Sequence, residues 1–157
     1  MRILVLSDSH GRVSLLERAI ESQPTARHIF FLGDNTKDVL KIQELYPDRV
    51  FHTVRGNCDF SSMYPEEETV CIEGVRIFYC HGHTALVKHG TEIMLGKTEQ
   101  AGAKIGLFGH THSSSVLYDR GIYLVNPGSV GSPRDGAASY AVIDITKRGI
   151  MPIIIKE

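Results

Sequence analysis

The chain has 157 residues, with 17 Lys and Arg against 18 Asp and Glu and a formal net charge of −1. That length suits one domain over residues 1–157 with a single substantial core, and 42% hydrophobic with 22% charged residues is an ordinary globular make-up. The balanced charge disfavours nucleic acid and anionic membranes as partners, and no run approaches the ~18 to 20 apolar residues that span a bilayer. Three cysteines without a C-x-x-C pair point to a reducing, cytoplasmic setting.

Residues 3–6 form a continuous apolar run, as expected of a strand covered on both faces. Ser14 followed by Glu17 reads as a capping box. Leu15, Leu16, Ala19 and Ile20 then share one helical face that ends before Pro24. Residues 29–32 predict a second strand, followed by a Gly-Asp-Asn loop and a helix through Val39, Leu40, Ile42 and Leu45 up to Pro47. A third strand over residues 50–54 leads into Gly56-Asn57. Residues 69–72 and 75–79, joined by Glu73-Gly74, read as a hairpin. A helix over residues 92–101 and a strand over 105–108 come next. Four further strands, over residues 115–118, 122–125, 140–145 and 151–155, are separated by turn-rich segments. A βα half followed by a strand-rich half predicts an α/β fold with two stacked sheets and helices outside.

The first five of these strands that precede loops run straight into polar clusters: Asp8-Ser9-His10, Gly33-Asp34-Asn35, Gly56-Asn57-Cys58-Asp59, His81-Gly82-His83 and Gly109-His110-Thr111-His112. Ligand sites in open α/β sheets lie outside the carboxyl ends of strands. Five of the 8 histidines fall in these clusters, which points to one composite site. Asp8, His10, Asp34, Asn57, His81, His110 and His112 offer two carboxylates, four imidazoles and a carboxamide. That mixture suits first-row divalent metals better than calcium or a structural cysteine-rich zinc site. So many ligands fit two ions about 3.5 to 4 Å apart with one shared carboxylate. Asp34, on a tight turn after Gly33, suits the shared position. In extended backbone residues i and i+2 point the same way, so Asp8 with His10 and His110 with His112 are expected to face the ions as pairs.

The ordered set D-x-H, G-D, G-N, H-G and G-H-x-H resembles the calcineurin-like metallophosphoesterase superfamily. Gly-Asn-Cys-Asp, His-Gly-His and the Asn-Pro-Gly-Ser segment at 126–129 resemble its small prokaryotic phosphodiesterase (YfcE-like) branch, over nearly the whole chain. The resemblance implies a four-layer α-β-β-α sandwich. It also implies two divalent ions per chain, manganese first, with iron, zinc, nickel or cobalt as alternatives. By that resemblance Asp8, His10 and His112 bind one ion, Asn57, His81 and His110 the other, and Asp34 bridges. A hydroxide between the ions would attack a small phosphate ester, a phosphodiester first and a monoester or nucleic acid second, with Asn57 touching both metal and phosphate. The superfamily also contains a retromer subunit that uses the fold for assembly, so a non-catalytic scaffold is the rival reading. The complete ligand set, His10 included, favours an enzyme. Homo-oligomers are compatible with either.

Departures from the pattern matter as well. Cys58 stands where the superfamily usually has a histidine that assists the leaving group. Either Cys58 is a spectator and His83 takes the acid role, or the preferred esters need little protonation. The spacing after Gly33-Asp34 leaves Asp38 without an assigned supporting role. Arg12 and Arg134 are candidate phosphate forks that read first as solvated charges. Asn126 and Ser129 read as turn formers, and His28, His52 and His89 as structural.

Overall fold

The computed structural model describes all 157 residues. Its elements in chain order are β1 (Arg2–Leu6), α1 (Val13–Glu21), β2 (Ala26–Phe31), α2 (Thr36–Leu45), β3 (Val50–Thr53), β4 (Glu67–Ile72), β5 (Val75–Cys80), α3 (Glu92–Gln100), β6 (Ile105–Leu107), β7 (Ser115–Asp119), β8 (Ile122–Asn126), β9 (Ser139–Thr146) and β10 (Gly149–Lys156). A short 3-10 turn, His83–Ala85, lies between β5 and α3. One five-stranded sheet has the order β10-β9-β1-β2-β3, the other β4-β5-β6-β8-β7. The first sheet is parallel from β1 through β2 to its edge strand β3, with β9 and β10 antiparallel on the other side; the second is parallel at its centre (β5 with β6 with β8), with antiparallel β4 and β7 at its edges.

Three separate cores make this a four-layer sandwich. Ile3, Val5, Phe30, Leu32, Ile77, Tyr79, Ile105 and Leu107 pack between the two sheets. Leu4, Leu6, Ile29 and Phe31 face outward, under Leu16, Ala19 and Ile20 of α1 and Val39 and Ile42 of α2. On the other flank Phe78, Phe108 and Leu124 meet Met94 and Leu95 of α3. Strands covered on both faces have no solvent side to mark with polar residues, which is why β1 reads as an unbroken apolar run.

The capping box at Ser14 does not form. Helix α1 begins at Val13 with Arg12 at its N-cap and no side-chain cap. The Arg12 N–H already turns back onto the Ser9 carbonyl at 3.0 Å. That turn sets the helix direction one residue before Ser14, which therefore lies inside the first turn.

At the edge of the inter-sheet core, His28 and His52 hydrogen-bond through Nδ1 and Nε2 at 2.9 Å, and the His52 ring stacks on Phe30 with Tyr79 at its edge. Burial, and then the neighbouring His28, lower the His52 imidazole from its ordinary value to about 4. Burial also lowers His28, helped by Arg27 and opposed by Glu73. The unfolded chain takes up these protons near pH 6.5 and the folded chain does not. Stability therefore falls as pH drops from about 6.5 to about 4, by on the order of 2 kcal/mol for this half-buried pair. Denaturant titrations of a His52→Phe variant are expected to show a shallower loss over that window, and an unchanged profile contradicts the account.

Candidate metal centre

All five polar clusters sit at the carboxyl ends of strands on one rim of the sandwich. Asp8 follows β1, Asp34 follows β2, Asn57 follows β3, His81 follows β5 and His110 follows β6. Ligand atoms of Asp8, His10, Asp34 and His112 all lie within 4.8 Å of one another. Within this group His112 Nε2 is 3.1 Å from Asp8 Oδ1 and 3.4 Å from His10 Nε2. A second group shares Asp34: its Oδ1 is 3.5 Å from His81 Nε2, which lies 3.2 Å from His110 Nδ1 and 3.1 Å from Asn57 Oδ1. The structure thus gathers all seven sequence-predicted ligands, with Asp34 common to both groups.

The paired ligands do not converge through extended backbone. Asp8, His10, Asp34, His110 and His112 have φ of 55°, 46°, 59°, 68° and 60°. All five are left-handed, a region that costs an ordinary side chain roughly 1 kcal/mol or more. Each strand is ended by an abrupt turn that swings the ligand inward. Two glycines allow the turns to approach: a Cβ on Gly56 would collide with the Asp34 carboxylate, and one on Gly109 with Ser7 Oγ and Asp8.

Hydrogen bonds hold these strained turns. The Asp38 carboxylate accepts from Ser9 Oγ (2.7 Å), the Gly11 N–H (2.9 Å) and Asn35 Nδ2 (3.0 Å), so it does support the first ligand loop despite its longer spacing. Ser129 Oγ donates to the Asp8 carbonyl at 2.8 Å. Asn126 Nδ2 donates to the Gly109 carbonyl and to Thr111 Oγ1, while its Oδ1 accepts from the Gly128 N–H within its own turn. Asn126 and Ser129 therefore bridge to the ligand loops as well as shaping the 126–129 segment.

Asp59 carries no local signature of its role. It is buried, and its carboxylate accepts the N–H groups of Asp34 (2.9 Å), Asn35 (2.9 Å), Thr36 (2.8 Å) and Gly56 (2.8 Å). It is the N-terminal cap of α2, supplied from the next loop because Asn35 is left-handed and makes no cap bond of its own. The signal available was a carboxylate closing the Gly56-Asn57 cluster, but nothing local says where it points.

The tautomers of two rings follow from their partners. His81 Nδ1 and His112 Nδ1 each lie 2.6 Å from a backbone carbonyl, of Leu32 and Ser132, and a carbonyl only accepts. Both rings donate from Nδ1, which leaves Nε2 of the neutral ring with a lone pair aimed into the cluster. Those lone pairs meet acceptors: Asp8 Oδ1 for His112, Asn57 Oδ1 for His81. Asp8 Oδ1 is fully buried without a hydrogen-bond partner. Acceptors turned on acceptors need a cation between them, and the donor set fits a divalent metal.

Protonation points the same way. Burial opposes ionisation of Asp8, yet His112, His81 and Ser7 outweigh it and hold the carboxyl below its usual range. Hydrogen bonding to Asp8 raises the His112 imidazole against its burial, so without a metal a proton is favoured between Nε2 and Asp8, and a bound metal would displace it. Burial and then His81 and Lys88 lower His110 to about 4, so it is neutral and available as a ligand near pH 7.

His83 opens the 3-10 turn, its ring 5.5 Å from that of His81 and 6.1 Å from that of His110. Its Nδ1 is buried without a partner, and burial followed by His81 lowers its pKa. Desolvation and the Asp34 carboxylate push the Cys58 thiol up to about 11. Arg12 and Arg134 are exposed, and His89 lies on the surface.

Candidate metal ligands collected on one rim between two stacked mixed sheets are the arrangement expected of a metallophosphoesterase. The chain belongs to the calcineurin-like phosphoesterase superfamily, whose domain matches residues 1–148. It is 32% identical over 171 positions to the phosphodiesterase YfcE of Escherichia coli K12, covering 92% of this chain and 88% of that protein. It is 27% identical over 146 positions to the probable metallophosphoesterase YsnB of Bacillus subtilis, covering 92% and 85%. Among solved structures, a predicted phosphoesterase from Streptococcus pneumoniae TIGR4 superposes with a TM-score of 0.85 at 26% identity, over 99% of this chain and 88% of that one. Vps29 of Chaetomium thermophilum shares the fold, with a TM-score of 0.78 at 16% identity over 100% and 97%. No helix is long and apolar enough to cross a membrane.

Proposed function

We propose that this protein is a metal-dependent phosphoesterase acting first on phosphodiesters. Asp8, His10 and His112 hold one divalent ion, Asn57, His81 and His110 hold a second, and Asp34 is shared. The observation that carries this reading is the inward-facing lone pairs of His81 and His112, set against the carbonyl oxygen of Asn57 and the orphaned Asp8 Oδ1. The 32% identity to a phosphodiesterase supports the choice of diester, and the mixed oxygen and nitrogen donors support manganese, with iron, zinc, nickel or cobalt as substitutes.

Two ions held there would lower the pKa of a water toward neutrality and offset charge on the phosphate oxygens. The chain's own residues do the rest. Asn57, exposed at the mouth, offers its amide N–H to a phosphate oxygen while Oδ1 faces His81. His83 is the imidazole placed to move a proton at the leaving oxygen, and its unpartnered Nδ1 leaves the ring free to do so. Cys58, with its thiol pushed up to about 11, holds its proton too tightly to serve as that acid and is a spectator.

The test is hydrolysis of a chromogenic bis-aryl phosphate with added manganese. The wild type is expected to turn over, and His112→Ala to lose at least a hundredfold. No hydrolysis with any of the five metals returns the chain to an assembly role on the same fold. Unchanged turnover of an alkyl diester by His83→Ala removes the proton-transfer role of His83 alone.

A further inference from the structure

Beside the ligand cluster, and not within it, lies a cavity of about 550 Å³. Its walls are the start of α2 (Asn35, Lys37 and Leu40) and the loop that follows Asn57, with Cys58, Phe60 and Met63 the residues that matter most. Three large apolar side chains are exposed around it: Phe60 at 90%, Met63 at 101% and Leu40 at 52%. A soluble protein can carry single exposed apolar residues without consequence, but three around one concavity call for an occupant.

The loop that carries them is not slack. Asp59 binds it to the N–H groups of Asp34, Asn35 and Thr36. The Ser62 N–H donates to the Asp59 carbonyl at 3.1 Å, and the Arg55 N–H to the Pro65 carbonyl at 2.9 Å. Thr36 Oγ1 reaches Ser62 Oγ at 3.2 Å. The chain fixes this loop at both ends and still leaves Phe60 and Met63 in water.

Position decides what the cavity takes. Cys58 is the partition: its N–H donates to Asp34 Oδ1 at 3.0 Å and its Sγ accepts from Asn57 Nδ2 at 3.4 Å, while the same residue lines the cavity. A phosphate seated at Asp34 and Asn57 therefore has the cavity as its immediate neighbour across one residue. The walls offer one cation, Lys37, against a phenyl ring, a thioether and a leucine, with Asn35, Ser61 and Ser62 as polar contacts.

From this, and resting on the phosphoesterase reading, we infer that the cavity binds the organic group of the ester, and that this group is planar and aromatic or heteroaromatic. Phe60 stacks on its face, Met63 closes over its edge through a polarisable sulfur, and Leu40 forms the floor. Small alkyl esters leave the cavity wet, and polyanionic chains meet too little positive charge.

Binding tests this with a readout separate from diester hydrolysis. Phenyl phosphate and methyl phosphate are titrated calorimetrically into manganese-loaded protein. The phenyl ester is expected to bind at least tenfold more tightly. A Phe60→Ala/Met63→Ala double variant, whose exposed positions leave thermal stability and manganese content unchanged, is expected to bring the ratio to near one. Phe60→Leu, apolar but not planar, falls between. Equal affinities in the wild type, no binding of either ester, or a ratio that survives the double variant overturns the inference. Failure of the phosphoesterase reading looks different: absent hydrolysis of the diester with the phenyl preference intact.

Discussion

Asp34→Asn is expected to lower manganese-dependent hydrolysis by about a thousandfold, equivalent to roughly 4 kcal/mol of transition-state stabilisation, while the fold survives. Asparagine matches aspartate in shape and tolerates the left-handed backbone found there, φ 59°. One amide oxygen can still accept the Cys58 N–H that Oδ1 accepts now, at 3.0 Å. What changes is charge and donor count. An NH2 group replaces an anionic oxygen in the position common to both ligand groups, so it confronts the space that a cation must fill. Elemental analysis should show manganese content falling together with the rate, and the thermal midpoint should stay close to that of the wild type. Full metal content with full activity in Asp34→Asn would remove the shared-ligand assignment.

Asp59→Ala should have the largest effect on stability, on the order of 3 to 5 kcal/mol. The substitution strips the carboxylate partner from four backbone N–H groups, those of Asp34, Asn35, Thr36 and Gly56. Charge-assisted bonds of this kind are about twice as strong as neutral ones, and buried donors left unpaired carry a desolvation penalty. The start of α2 loses its only side-chain cap, and the Asp34 turn loses the anchor that keeps it left-handed. Asp59→Asn should fall between, since its amide keeps one acceptor oxygen. Denaturant midpoints measure this directly, and a loss below about 1 kcal/mol for Asp59→Ala would show that water satisfies those groups instead. Manganese affinity is expected to weaken as well, although Asp59 itself lies behind the ligands.

The two substitutions separate two kinds of information. Asp34 announces itself locally, as a carboxylate after a glycine at the end of an apolar run. The same local logic marks Asp8, His10, Asn57, His81, His110 and His112, because a strand's carboxyl end fixes where the next residue must sit. Asp59 has no such mark. Its partners are 23 to 25 positions earlier, apart from Gly56, and a carboxylate that caps a helix from a different loop carries no capping signature. Asp38 is similar: it closes on Ser9 across 29 positions, and only the packing of α2 against the first loop brings them together. The capping box at Ser14 fails for the complementary reason, since a local signature was overruled by a turn formed just upstream.

Element types and most of their spans follow from periodicity and turn residues, and so does the placing of the candidate ligands on a single rim. Sheet membership does not. Strand β9 returns to pair with β1, Arg2 lying against Asp144 and Val5 against Ala141, and β10 follows it as the hairpin partner at the sheet edge; nothing in their own residues selects that edge over the second sheet.

 The register that settles it is Arg2 against Asp144, partners 142 positions apart that close a two-point ion pair at 2.9 and 2.7 Å.

By itself, then, the order of residues determined which side chains end up as donors at strand ends, since backbone alternation and turn chemistry act over a few residues. Only the folded chain decided which donors meet, which ring nitrogen faces inward, and which buried carboxylates brace the turns. Those outcomes depend on hydrogen bonds such as Ser129 to Asp8, 121 positions apart, and no local rule reaches that far.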